Sequence, residues 1–95
     1  MSRYEIRGQD LYDQHRRKIA TTRGRAIYDG DNQRVAFIRG EDLYDMEERR
    51  MATLRGSDIL DAESIKVGSL SDVQDSIKGA AVGVMDVALW YCFVR

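Results

Sequence analysis

The chain has no proline, one cysteine, one histidine and one tryptophan among its 95 residues. A lone Cys92 excludes an intramolecular disulfide and fits a reducing compartment. His15 and Cys92 together are too few for a His/Cys metal cluster, and the chain carries no Gly-rich phosphate loop. An excess of one charge is also missing: 15 Lys and Arg stand against 16 Asp and Glu, for a net charge of −1. That balance speaks against a basic glove for nucleic acid or a basic membrane patch. The N-terminus, Met1-Ser2-Arg3-Tyr4-Glu5, is followed by further charges rather than an apolar stretch, so it does not read as a signal peptide, and cytoplasmic residence is expected. The apolar run from Ala80 to Val94 contains Gly83 and Asp86 and falls short of the roughly 20 residues of a spanning helix, so no membrane span is expected. This length leaves room for a single domain, 1–95, with a small core.

What the chain does have is a repeat. Arg-Gly recurs at Arg7-Gly8, Arg23-Gly24, Arg39-Gly40 and Arg55-Gly56, sixteen residues apart each time. The copies span 3–18, 19–34, 35–50 and 51–66, and a partial fifth start, Val67-Gly68-Ser69-Leu70, occupies 67–70. Sixteen residues is too short for the common two-helix repeats. Each copy carries an apolar stretch before its Gly, best seen in Val35-Ala36-Phe37-Ile38, and a second one at Leu11-Tyr12-Asp13, Ile27-Tyr28-Asp29, Leu43-Tyr44-Asp45 or Ile59-Leu60-Asp61. The pattern predicts two short strands per copy. Gly in the sixth position supplies a positive φ for the tight turn between them, and Asp in the eleventh opens the return turn.

A two-stranded hairpin is marginal alone, so the four must share a core. Candidates are Leu11, Ile27, Leu43 and Ile59 at position nine, with Ile19, Val35, Met51 at position one and Ile6, Ile38, Leu54 at position four. Positions one and four have opposite parity, so the strand buries part of both faces or carries a bulge. Position two is small in three copies and in the partial one (Ala20, Ala36, Ala52, Gly68), which predicts close approach of neighbouring copies. The first copy has Arg3 where later copies have apolar residues, and the trailing fragment supplies Val67. This predicts a mostly β fold in which the four hairpins close around a pseudo-four-fold axis, with 67–70 as the closing strand; an open β-solenoid is the alternative. Residues 71–95 change character. Ser71 is the expected N-cap of a short helix to about Lys78 or Gly79, with Asp72 and Asp75 near its positive end. The apolar segment 84–94 reads as a buried strand or as a helix, packed on or through the ring.

The repeated [IL]-R-G-x-x-[IL]-Y-D unit, followed by a short helix and an apolar, aromatic C-terminus, resembles the 4-fold beta flower proteins, which are small bacterial domains. The resemblance covers about Tyr4 to Val94, with Leu60 replacing the Tyr of the fourth copy. It implies four β-hairpin petals around a pseudo-four-fold axis. It implies no activity, catalytic residue, cofactor or ligand.

The candidate chemistry is therefore weighed on the residues themselves. Arg7, Arg23, Arg39 and Arg55 are equivalent, and a ring of guanidinium groups would bind a phosphate or another polyanion. The simpler expectation pairs them with the equally regular Asp13, Asp29, Asp45 and Asp61. Those Asp residues as a cation ring, Tyr12, Tyr28 and Tyr44 as a stacking platform, Glu47-Glu48 as an acid pair, and His15 with Cys92 as a nucleophilic pair are weaker readings. No catalytic residue, metal site or cofactor is expected. The leading reading is a non-catalytic structural or protein-interaction module that contacts a protein partner or itself, aided by any uncovered surface of Trp90, Phe93 and Val94. The alternative is a small-ligand or anion binder that uses the four Arg residues.

Overall fold

The structure, a computed structural model, describes residues 3–81 and 83–95. Met1-Ser2 of the signal-peptide reading and Val82 of the apolar run lie outside them. Each copy forms its two strands. They are β1 (Tyr4–Arg7) and β2 (Asp10–Tyr12), β3 (Lys18–Arg23) and β4 (Ala26–Asp29), β5 (Arg34–Arg39) and β6 (Asp42–Asp45), and β7 (Arg50–Arg55) and β8 (Asp58–Asp61). The partial fifth copy adds β9 (Lys66–Ser69). Helix α1 (Leu70–Ser76), the two-residue strand β10 (Ile77–Lys78), helix α2 (Val84–Leu89) and a π-helical turn (Trp90–Val94) complete the chain.

The turns follow from their residues. Arg7 pairs with Asp10, Arg23 with Ala26, Arg39 with Asp42 and Arg55 with Asp58, which leaves two-residue loops that begin with Gly. A positive φ at the Gly alone, +62° at Gly8, is the type II′ pattern that suits the right-handed strand twist. In the return turns the left-handed residue is Arg16, Asn32, Glu48 or Ser64, each near φ +65°. Only Asn32 is a residue type that favours this region; the others bear a strain of about 1–2 kcal/mol.

All ten strands belong to one sheet in the order β10-β1-β2-β3-β4-β5-β6-β7-β8-β9. Sequential neighbours are antiparallel, and each junction between copies skips one residue on the incoming strand: Leu11 faces Ala20 while Tyr12 faces Lys18, with Ile19 between. Val35, Met51 and Val67 occupy the same place. The parity conflict between positions one and four is thus resolved by a bulge at position one. Positions two, four and nine then share the inner face, where Ala20, Ala36, Ala52, Ile38, Leu54, Leu11, Ile27, Leu43 and Ile59 are all buried.

Small residues inside, tyrosines outside and four bulges bend the sheet. Ten flat strands would span roughly 43 Å at ~4.8 Å spacing, whereas the longest dimension of the molecule is 34 Å. The connection through α1 requires the same curl. It runs directly from β9 into β10, which pairs in parallel with β1 (Tyr4 with Ile77, Glu5 with Lys78). Seven helical residues reach only about 10 Å, so the two terminal strands of the sheet lie close together. Val67–Ser69 pairs with β8 and not with the first copy; the strand that meets the first copy is β10.

Two expectations for the C-terminal part are corrected. The N-cap of α1 is Ser69, not Ser71. Its side chain accepts from the Asp72 N–H, and the Asp72 carboxylate accepts from the Ser69 N–H at 2.9 Å. This capping box starts the helix as soon as β9 ends. The helix stops at Ser76 rather than near Lys78, because Ile77 turns extended (φ −125°, ψ 114°) and enters the sheet fully buried. The segment 84–94, which the sequence left as strand or helix, is helical. A segment laid across an occupied ladder must satisfy its own backbone hydrogen bonds, and a helix does so internally. Val87, Ala88, Leu89 and Trp90 join the inner-face residues in one core.

Trp90 locks this packing. A Cβ placed on Gly68 would lie 2.5 Å from its ring carbon Cη2, so the one Gly at position two is a notch for the indole. Gly68→Ala is expected to cost about 1–3 kcal/mol through overpacking, and Trp90→Phe should relieve much of that cost in the double variant. Thermal melts of the two single variants and the double variant test this; equal melting temperatures for wild type and Gly68→Ala would disprove the lock.

Candidate functional site

The four Arg residues of the repeat end the first strand of each hairpin and are all exposed. Their expected pairing with Asp13, Asp29, Asp45 and Asp61 does not occur. Those carboxylates close their own turns instead: Asp13 Oδ1 accepts from the N–H of His15 (2.8 Å) and Arg17 (3.0 Å), and Asp29, Asp45 and Asp61 repeat the arrangement. A bond two or four residues away closes almost no loop, so it outcompetes a pair with a distant flexible Arg. The Arg partners of the turns are local too, Arg17 on Asp13 and Arg49 on Asp45.

The repeat Arg residues lie over tyrosines. The guanidinium of Arg7 is 5.8 Å from the Tyr12 ring centre, that of Arg23 is 5.2 Å from Tyr28 and that of Arg39 is 5.4 Å from Tyr44. Each such contact contributes about 0.5–1 kcal/mol at an exposed site. Their polar contacts vary from copy to copy: Glu5 with Arg7 at 3.4 Å, Asn32 with Arg23 at 3.4 Å and Glu48 with Arg39 at 4.0 Å. The fourth copy has Leu60, and among the described residues Arg55 has no ring beneath it. Opposite each tenth position lies the cation that ends the same copy and opens the next strand, in the pairs Tyr12 with Lys18, Tyr28 with Arg34, Tyr44 with Arg50 and Leu60 with Lys66. The outer face of the sheet is therefore a ladder of aromatic rings, each with an Arg over it and a basic residue across the strand. This was readable only by aligning the copies position by position. With guanidinium groups already over them, the rings offer less free face for stacking bases or sugars.

The remaining candidates stay separate. His15 is exposed in the first return turn, with Gln14 as its side-chain contact. Cys92 is half-buried in the π-helical turn, and burial pushes its thiol up to about 11, away from thiolate reactivity. It lines an apolar groove with Asp29, Val35, Met51, Tyr91 and Phe93. Glu47 pairs with Arg49 at 3.1 Å and Glu48 with Arg39, so the adjacent acids do not form a carboxylate pair. Trp90 is buried, while Phe93 and Val94 are half-buried. Among the described residues, no group of three His, Cys, Asp or Glu side chains is placed to hold a metal, and no helix is long and apolar enough to cross a membrane.

Two of the turn carboxylates, Asp13 and Asp45, carry a pH signature. Asp13 is held below the usual carboxylate range chiefly by the Arg17 N–H, and Asp45 chiefly by the Arg49 N–H, against an opposing desolvation. A depressed folded pKa gives stability that is complete above the ordinary carboxylate pKa and is lost as pH falls through the folded value. Asp86, which accepts from the Ala81 N–H at 2.6 Å, is pushed up by burial and acts with the opposite sign. The double variant Asp13→Asn/Asp45→Asn should be less stable than wild type at neutral pH. The gap should close as pH falls below the ordinary carboxylate range, where the wild-type carboxylates protonate. Urea unfolding at neutral and acidic pH checks this, and a gap independent of pH would refute it.

No curated protein and no solved structure matches the chain. The family model described as the 4-fold beta flower protein matches residues 9–84. That span begins in the first hairpin, contains the three complete hairpins that follow, and extends through β10 to the first residue of α2. The match covers most of the chain, and with it the chain belongs to the 4-fold beta flower protein family.

Proposed function

We propose that the chain is a non-catalytic structural or protein-interaction module of the cytoplasm, with its four hairpins arranged as petals around a pseudo-four-fold axis. Support for the axis comes from the equal spacing of the four bulges and from α1, which ties the two terminal strands together within about 10 Å. An X-ray structure in which successive hairpins did not superpose by quarter turns would remove the axis from this reading.

The observation that carries the interaction role is the Arg-over-Tyr ladder. Arg and Tyr are among the residue types that dominate binding energy at protein interfaces, and here three such pairs repeat on one exposed face. The expected outcome is that the native chain, in extract of its own cells, elutes in an assembly larger than a free 95-residue protein. The triple change Arg7→Ala/Arg23→Ala/Arg39→Ala should return it to monomer size while leaving a cooperative melt, lowered only by the three lost ring contacts. Elution of the wild-type chain as a free monomer would overturn the interaction role.

A second reading, anion binding by Arg7, Arg23, Arg39 and Arg55, gains support because none of these side chains is engaged by the repeated Asp residues. Under it, inorganic phosphate would shift the Arg side-chain resonances, and Arg23→Ala/Arg39→Ala would remove the shift. Unchanged spectra on phosphate addition would exclude it.

A further inference from the structure

The copies differ least where the fold needs them, so a paired departure on the outer face is informative. At the junctions between copies, position eight of one copy faces position three of the next. Three of the four junctions are polar: Asp10 faces Thr21, Asp42 faces Thr53 and Asp58 faces Ser69. In two of them the Thr hydroxyl donates to the Asp carboxylate, at 2.6 Å for Thr21 and Asp10. The junction between the second and third copies has Ala26 facing Phe37. Both members of the pair have changed together, from a hydrogen-bonded polar pair to an apolar one.

The change builds something. Phe37 stacks on Tyr44 with ring centres 5.4 Å apart and planes 15° from parallel, and the Arg39 guanidinium lies over both rings, 5.7 and 5.4 Å from their centres. Both rings are half-buried while Arg39 is exposed. A half-exposed aromatic pair with a guanidinium above it is the composition of an interface anchor. Cations flank the site: Arg34 lies opposite Tyr28 at this junction, Arg50 lies opposite Tyr44 at the next, and Arg23 lies over Tyr28. The outer-face acid here, Asp42, already accepts from Thr53, and Glu48 meets Arg39 only at the loop end, at 4.0 Å.

We infer that the outer face around Phe37, Tyr44 and Arg39 docks an acidic polypeptide segment carrying at least one apolar side chain, with the aromatic pair taking the apolar group and the surrounding Arg residues the carboxylates. The inference rests on the interaction-module reading and deepens it. Charge complementarity selects the partner, and the Arg-covered tyrosines favour a polypeptide over stacked nucleic-acid bases.

The test places a photo-crosslinking benzoylphenylalanine at position 37, 12 or 93 of the full chain in its own cells and maps the captured peptide. The expected result is capture at 37 of a segment rich in Asp and Glu with an apolar residue, lost on Arg39→Glu. A synthetic peptide of that segment should bind the double variant Ala26→Asp/Phe37→Thr at least about tenfold more weakly than wild type. That variant rebuilds the polar pair of the other junctions, so its melting temperature should stay close to wild type. Capture at 12 or 93 but not at 37, capture of a segment without acidic residues, capture of RNA at 37, or unchanged peptide affinity in the double variant would each overturn the docking site while leaving the module reading intact. No protein capture at any of the three positions would overturn both.

Discussion

Curvature is the constraint from which the other features follow. A ten-stranded sheet whose terminal strands are joined by seven residues must present a concave face, and that face must still be filled. The chain meets both demands through the placement of side-chain volume. From the second copy on, position two is Ala or Gly on the inside, and position ten is Tyr or Leu on the outside, so the inner surface is the shorter one. The bulge at position one adds the local bend and turns Ile19, Val35, Met51 and Val67 to the rim of the core, where they are half-buried. Without the bulge, strict alternation along the strand would send position sixteen to the inner face with position two.

Filling the concave face determines what the C-terminal part must be. The eight strands between the edge strands β10 and β9 are paired on both sides, so an apolar segment crossing the inside has no ladder to join there. Composition alone did not decide this point, because Val87-Ala88-Leu89-Trp90-Tyr91-Cys92-Phe93-Val94 is as rich in β-formers as a buried strand. The deciding term is the count of free backbone partners, a tertiary quantity that local propensity does not contain.

The same distinction separates what was legible in the sequence from what was not. The hairpins, the Gly turns and the bulge were legible, because each rests on a local rule applied to residues a few positions apart. The repeated Asp was legible as a turn residue but was misjudged as an ion-pair partner. Both the Arg and the Asp series are regular at sixteen residues, and regularity does not reveal which of two partners is nearer in space. Asp13 had two backbone N–H groups within its own loop and needed no distant guanidinium. The Arg over Tyr contact joins position five to position ten across a hairpin, and only the strand register brings them together. The start of α1 was misplaced by two residues because Ser69 and Ser71 are equally good caps by type, and only the end of β9 chooses between them.

Departures from the repeat therefore fall into two kinds that physical context separates. Gly68 and Leu60 have structural causes: the first makes room for Trp90, and the second is buried where the tyrosines are only half-buried. Gly68 relieves a constraint imposed by the part of the chain after the repeats, and both departures lie in the last hairpin or just after it. Ala26 and Phe37 lie far from that end, in the middle of the array. They replace a polar pair that the fold uses at the neighbouring junctions, and the stacked rings that result are half-exposed on the outer face. A change that serves packing is expected to bury what it introduces, as at Leu60. A change that leaves two aromatic rings half-exposed beneath a guanidinium leaves apolar surface in contact with water, and the balance is restored only when something else covers it.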